Sequence, residues 1–138
     1  VFMLTLNATD VRKNWGQFID DVVRHQPKVV KRSRDHFLAI SIDHLKALTE
    51  NYHFHVDLHR EDDGSVTASL REIDLVANGD TDREAKVMLA QELLEYAQEY
   101  YEDFATYYSA PNRRAHFPYV LKVLIQDDLQ GIVHLLDA

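Results

Sequence analysis

Two short runs carry residues that could read or hold DNA. Arg12, Lys13 and Asn14 follow one another in "VRKNW", and Lys31, Arg32, Ser33, Arg34 and His36 fill the bend of "KVVKRSRDHFLAIS". Arginine and asparagine suit bidentate contacts to guanine and adenine edges in the major groove. Cations on an exposed tip, with the backbone amides of a helix start, suit phosphates. The alternative is a solvated hairpin with ordinary surface cations. Charge is split along the chain. Residues 1–50 carry eight Lys/Arg and six Asp/Glu, a net +2, and the remainder carries seven and seventeen, a net −10, giving −8 for the whole. A basic N-terminal third on an acidic body points to two modules with different partners.

Other chemistries are less well supported. His53, His55, Asp57 and His59 alternate on the polar face of one strand, and such neighbours can converge on a metal. A plain exposed strand face also requires alternating polar residues, and the chain lacks cysteine and a second cluster, so no metal is expected. Asp57, Asp62, Asp63, Asp80 and Asp82 could supply a metal-dependent nuclease. Asp62 and Asp63 fit a turn, however, and Asp80 and Asp82 flank a helix cap. No Ser/His/Asp order or phosphate loop stands out, so no catalytic residue and no cofactor is expected, and the mechanism is read as stoichiometric binding. Late in the chain, Tyr101, Tyr107 and Tyr108 lie among Glu99, Glu102 and Asp103. Exposed aromatics ringed by acids suit a basic protein partner, although a solvated helix face is the alternative.

These residues need a scaffold. The chain has 138 residues, 46% of them hydrophobic, enough for one domain or two very small ones. Without cysteine there is no disulfide framework, which fits a reducing compartment. No apolar run approaches the roughly 20 residues of a membrane span. "VFMLTL" lacks the basic flank and cleavage site of a signal peptide. The expectation is a soluble cytoplasmic protein.

The predicted fold is α+β. "LTL" reads as a strand and "NATDVRKNWGQFIDDVVRH" as one helix, capped by Thr9, with Asp10 in its first turn and Pro27 ending it. Val11, Trp15, Phe18, Ile19, Val22 and Val23 form one apolar stripe. Two strands follow, Val29–Val30 and Phe37–Ile42. A short helix comes next, capped by Ser41 or Asp43, with Leu45 and Leu48 facing inward. This strand-helix-hairpin-helix module has so little core that a homodimer is expected. From residue 53 the period becomes two. Phe54, Val56 and Leu58 share a face, Gly64 bends a turn, and "SVTASLREI" and "DLVANG" complete a three-stranded antiparallel sheet. "TDRE" is a capping box, with Thr81 at the N-cap and Glu84 three residues on. It opens a helix running to Tyr108 that buries Ala85, Met88, Leu89, Leu93, Tyr96, Ala97, Tyr100 and Phe104. "SAPNRRAHFP" is a loop or helix start, and "YVLKVLIQ" and "DDLQGIVHLLDA" read as helices.

Residues 3–50 resemble the N-terminal domain of Phd/YefM antitoxins. Thr9, Arg12 and Asn14, then Val29 and Arg32, then Ala39, Ile40, Ser41 and Leu45 carry the likeness. Val11 replaces the usual alanine, and the hairpin glycine is missing from "SRDHF". Residues 53–104 resemble the HicB-type antitoxin fold, a degenerate RNase H-like unit. Here "DDGSVTASLREI" and above all "NGDTDREA" carry it, through Asn78, Gly79, Asp80, Thr81, Glu84 and Ala85. The last thirty residues resemble nothing recognisable.

The resemblance implies a DNA-binding and dimerisation module over 1–50 and a toxin-binding module over 51–138. Together they would make a type II antitoxin that neutralises a toxin and represses its own operon at a palindromic operator. DNA contacts would fall to Arg12, Lys13, Asn14, Lys31, Arg32, Ser33, Arg34 and His36. Toxin contacts would fall to Glu99, Tyr101, Glu102, Asp103, Tyr107 and Tyr108. The rivals are a protein-interaction module without DNA binding and an RNase H-like nuclease.

Overall fold

Strand β1 (Thr5–Asn7) runs parallel to β2 (Lys28–Arg32), and β2 pairs antiparallel with β3 (Asp35–Ala39), in the order β1-β2-β3. Helices α1 (Ala8–Lys13) and α2 (Trp15–Arg24) make the crossover between the parallel strands, and α3 (Ile42–Leu48) follows the hairpin. The structure, a computed structural model, describes residues 1–137 and divides into two compact units, Val1–Leu48 and Thr49–Ala138.

The expected single helix is interrupted at Asn14, which has φ −120° and ψ 43°. Its side-chain amide donates to the Asp10 carbonyl at 3.1 Å. A short polar side chain competes with the helical backbone in this way, and the helix stops. The N-cap is Asn7 rather than Thr9: the Asn7 Oδ1 accepts from the Thr9 backbone N–H at 2.8 Å. Asp10 does lie in the first turn. Ser41 caps α3, its hydroxyl accepting from the His44 N–H. Leu48 is 65% exposed, not inward as expected, because α3 ends there.

The apolar stripe of α1 and α2 divides in two. Val11, Phe18 and Val22 pack with Val30 to form the small core of this unit. Trp15, Ile19 and Val23, four residues apart, face outward at 58%, 44% and 56% exposure. On the hairpin, Phe37 and Leu38 are also exposed. This apolar face is large for so small a unit.

The second unit is a meander of β4 (Val56–Arg60), β5 (Val66–Leu70) and β6 (Leu75–Gly79), antiparallel throughout. Val66, Ala68 and Leu70 pair with Gly79, Ala77 and Leu75, all on the face that packs under α4 (Asp82–Glu102). Gly64, at φ 87°, turns the first hairpin. The α4 start is the predicted capping box: the Glu84 N–H donates to the Thr81 hydroxyl at 3.1 Å. The Glu84 carboxylate accepts from the backbone N–H of Asp80, one residue before the cap.

Helix α4 also ends early, at Asp103 (φ −116°, ψ 50°), and α5 (Phe104–Ser109) starts in a new direction. Phe104 is therefore 36% exposed, and Met88, on the edge of the stripe, is 42% exposed; both were expected inside. Helices α6 (Pro111–Arg114), α7 (Phe117–Leu124) and α8 (Leu129–Asp137) complete the unit. Ile132, Val133 and Leu136 of α8 are buried with α4 in one core. Lys122 on α7 ties down the first residues of this unit. Its ammonium donates to the carbonyls of Thr49 at 3.2 Å and Tyr52 at 2.7 Å, and burial lowers its pKa.

Candidate DNA and partner interfaces

Arg12 and Lys13 occupy the last turn of α1, rather than a helix start. Cations there complement the negative end of the helix dipole. Arg12 nevertheless lies near the middle of the hairpin. It lines a cavity of about 270 Å³ with Ala8, Val11, Trp15, Val30 and Phe37. Val30 and Phe37 are a cross-strand pair, and the next pair toward the tip is Lys31 with His36. The helix cation and the hairpin cations thus belong to one neighbourhood.

At the tip, Ser33 takes φ 54°, the left-handed region that glycine enters at no steric cost. Arg32 lies 3.8 Å from Asp35, with both side chains about 80% exposed. So exposed a pair holds little energy, and Arg32 is available to a ligand. Lys31, Arg34 and His36 are exposed too, with His36 Nδ1 3.2 Å from the Arg34 carbonyl.

Of the alternating residues His53, His55, Asp57 and His59, His55, just before β4, and Asp57, within it, each sit against an oppositely charged type of side chain. His55 Nδ1 lies 2.6 Å from the Glu72 carboxylate. Asp57 accepts two bonds from Arg71, at 2.6 and 2.8 Å, and these hydrogen bonds lower its pKa. Asp63 accepts from the backbone N–H and hydroxyl of Ser65 within the turn. Among the described residues no three His, Asp or Glu side chains gather as a metal site.

The late aromatic cluster divides at the Asp103 break. Tyr101 stands 69% exposed. Tyr107 is half-buried, its ring 5.1 Å from Tyr100 and 6.0 Å from Tyr96. Tyr108 stacks on Phe104 at 5.2 Å and meets Phe117 at 5.5 Å. Glu99, Glu102 and Asp103 are exposed around them.

Beside this cluster lies a polar chain that residue spacing did not indicate. Arg113 donates to the Tyr96 hydroxyl at 3.0 Å, which sits 2.6 Å from His116 Nδ1. The Tyr100 hydroxyl donates to the Arg113 carbonyl at 2.9 Å. Burial, then the charge of Arg113, lowers the His116 pKa and favours the neutral ring beside the Tyr96 hydroxyl. The unfolded chain binds a proton at His116 more readily, near its ordinary pKa of 6.5. His116 therefore contributes stability in full above about pH 6.5 and loses it as pH falls below that. Melting temperatures of the wild type at pH 7.5 and 5.5 should differ more than those of His116→Gln. Equal differences would show that this histidine does not carry the effect.

A family model, the PHD-like family, described as antitoxin of toxin–antitoxin systems, RelE/RelB, matches residues 3–138. The chain belongs to this antitoxin family. The antitoxin is also similar, at 41% identity and a TM-score of 0.89, to a crystal structure from Syntrophomonas wolfei subsp. wolfei. That protein is described as an antitoxin part of a proposed toxin/antitoxin system, and the match covers 97% of this chain and 96% of the other. Among curated proteins none matches. No helix among the described residues is long and apolar enough to cross a membrane.

Proposed function

We propose that the antitoxin represses its own operon as a homodimer bound to operator DNA and neutralises its toxin with the C-terminal unit. The N-terminal unit acts as a Phd/YefM-like module and the C-terminal unit as a HicB-like one. The PHD-like family match, which spans both units, supports the antitoxin reading as a whole, and the close approach of Gly79 to α4 with the Thr81–Glu84 cap supports the HicB-like assignment. The observation that carries the DNA reading is the Arg12 cavity. It sets Arg12, a residue type suited to a base edge, beside the Val30–Phe37 pair of a hairpin whose tip cations are all exposed. Full-length protein titrated onto duplex from the promoter of its own gene should bind about a thousandfold or more tighter than to scrambled duplex. Equal affinities would favour the rival interaction module.

The outward stripe Trp15, Ile19 and Val23 supports the dimer. A second copy would cover it and enlarge a core that is otherwise four buried side chains. Sedimentation should give twice 16.1 kDa. Ile19→Glu should sediment as a monomer and lose operator binding, because one half-site contact remains. A wild-type monomer would remove the basis for a two-fold operator.

A further inference from the structure

We propose that the cavity between the β5–β6 turn, α4, α5 and α6 receives a basic side chain of the toxin, an arginine or lysine whose cation is held by Asp74 and Glu99. This rests on the reading that the C-terminal unit holds the toxin. The cavity measures about 490 Å³, within the roughly 300–1,000 Å³ of ligand sites. Its lining comes from separate stretches of one unit: Ile73 and Asp74 just before β6, Tyr96 and Glu99 on α4, Tyr107 on α5 and Arg113 on α6. Ile73 and Tyr96 are buried, Tyr107 and Arg113 are half-buried, and Asp74 and Glu99 are exposed. The buried pair makes a floor, and the two acids belong to the solvent-facing rim.

Charge selects the occupant. The lining sets two carboxylates against one guanidinium, and burial favours a neutral His116 beside them, so the cavity is net negative. Arg113 does not satisfy the acids. Its guanidinium donates to the Tyr96 hydroxyl at 3.0 Å and lies 5.5 and 5.8 Å from the ring centroids of Tyr96 and Tyr107. Among the described residues neither Asp74 nor Glu99 forms an ion pair. Ionised carboxylates only accept hydrogen bonds, and a guanidinium or ammonium only donates them, so each supplies what the other lacks. An anionic guest would gain Arg113 but meet both carboxylates. The wider field acts in the same direction. Residues 51–138 carry seven Lys/Arg and seventeen Asp/Glu, a net −10, which steers a cationic partner toward this unit.

Full-length antitoxin can be titrated with the protein encoded beside its gene. Asp74→Asn/Glu99→Gln keeps the shape of both side chains and removes their charge at exposed positions. It should weaken binding about tenfold or more, with a smaller loss at high salt. Asp62→Asn/Glu92→Gln is the control: both positions are exposed, neither lines the cavity, and the change in net charge is the same. The control should stay within about twofold of the wild type. If the double cavity variant melts below the wild type, Glu99→Gln alone gives the reading. If the wild type binds and the cavity variant stays within about twofold of it, the cavity is not the docking site. If the control loses as much as the cavity variant, the overall charge of the unit attracts the toxin and the proposal fails. In both cases the toxin-holding reading survives. If the wild type does not bind the neighbouring protein at all, that reading fails and this proposal with it.

Discussion

Adding one methyl group at Gly79 should lower the melting temperature of the C-terminal unit by about 10 °C or more and leave the N-terminal unit unchanged. A Cβ built there lies 2.5 Å from the Ala85 nitrogen, 2.8 Å from the Glu84 carbonyl carbon and 3.0 Å from the Ala85 Cα. All three are helix backbone, so no side-chain rotation relieves the clash. Helix α4 must move off β6, and its buried alanines and leucines lose contact with the sheet. Overpacking costs about 1–3 kcal/mol where side chains can yield, and this site belongs at or above the upper end. Gly16→Ala is the control. A Cβ there meets nothing within 4 Å, and alanine in a helix should stabilise by up to about 1 kcal/mol. The two units report separately in near-ultraviolet circular dichroism, because the single tryptophan is Trp15 and all seven tyrosines follow residue 50. A Gly79→Ala protein whose tyrosine signal melts with the wild type would show that α4 can slide at no cost.

Gly79 also shows how much of the fold could be read from sequence. "NGDTDREA" announced a strand end, a cap and a helix start, and all three are present, down to the Thr81 hydroxyl on the Glu84 N–H. The sheet was legible because Val66, Ala68 and Leu70 alternate cleanly with Thr67 and Ser69. The misread helices end at Asn14 and Asp103, inside runs whose apolar period continues past them, so periodicity predicts a helix where the backbone leaves it. At Asn14 the side-chain amide competes through its bond to the Asp10 carbonyl, whereas the Asp103 side chain makes no cap bond and only the backbone angles mark that break. The second break, with the packing of Phe104 on Phe117, was therefore invisible. So was the Arg113–Tyr96–His116 chain, which joins residues 17 to 20 positions apart without any spacing motif. The two faces of α2 illustrate another limit. Hydrophobicity marks Phe18 and Ile19 alike, and only packing against Val30 decides that the first is core and the second is surface.

Arg12 and Arg34 should respond to mutation in different ways if the operator is read as proposed. Arg12 is exposed and lines its cavity with Trp15 and Phe37. A guanidinium offered from a helix in this setting suits a directional contact to a base edge. Arg34 sits at an open turn beside Ser33, with no carboxylate ion pair among the described residues, which suits a phosphate. Arg12→Ala should cost about 1–3 kcal/mol per half-site and narrow the gap between operator and scrambled duplex. Arg34→Ala should weaken both duplexes alike and lower the slope of log affinity against log salt by about one per half-site; Lys31→Ala should behave the same way. A two-fold dimer presents each residue twice, so both effects should roughly double on a full operator. The measurement is affinity against salt for each variant on the two duplexes. If Arg12→Ala left the operator preference intact while lowering the salt slope, α1 would be a phosphate clamp, and the reading element would have to be the hairpin.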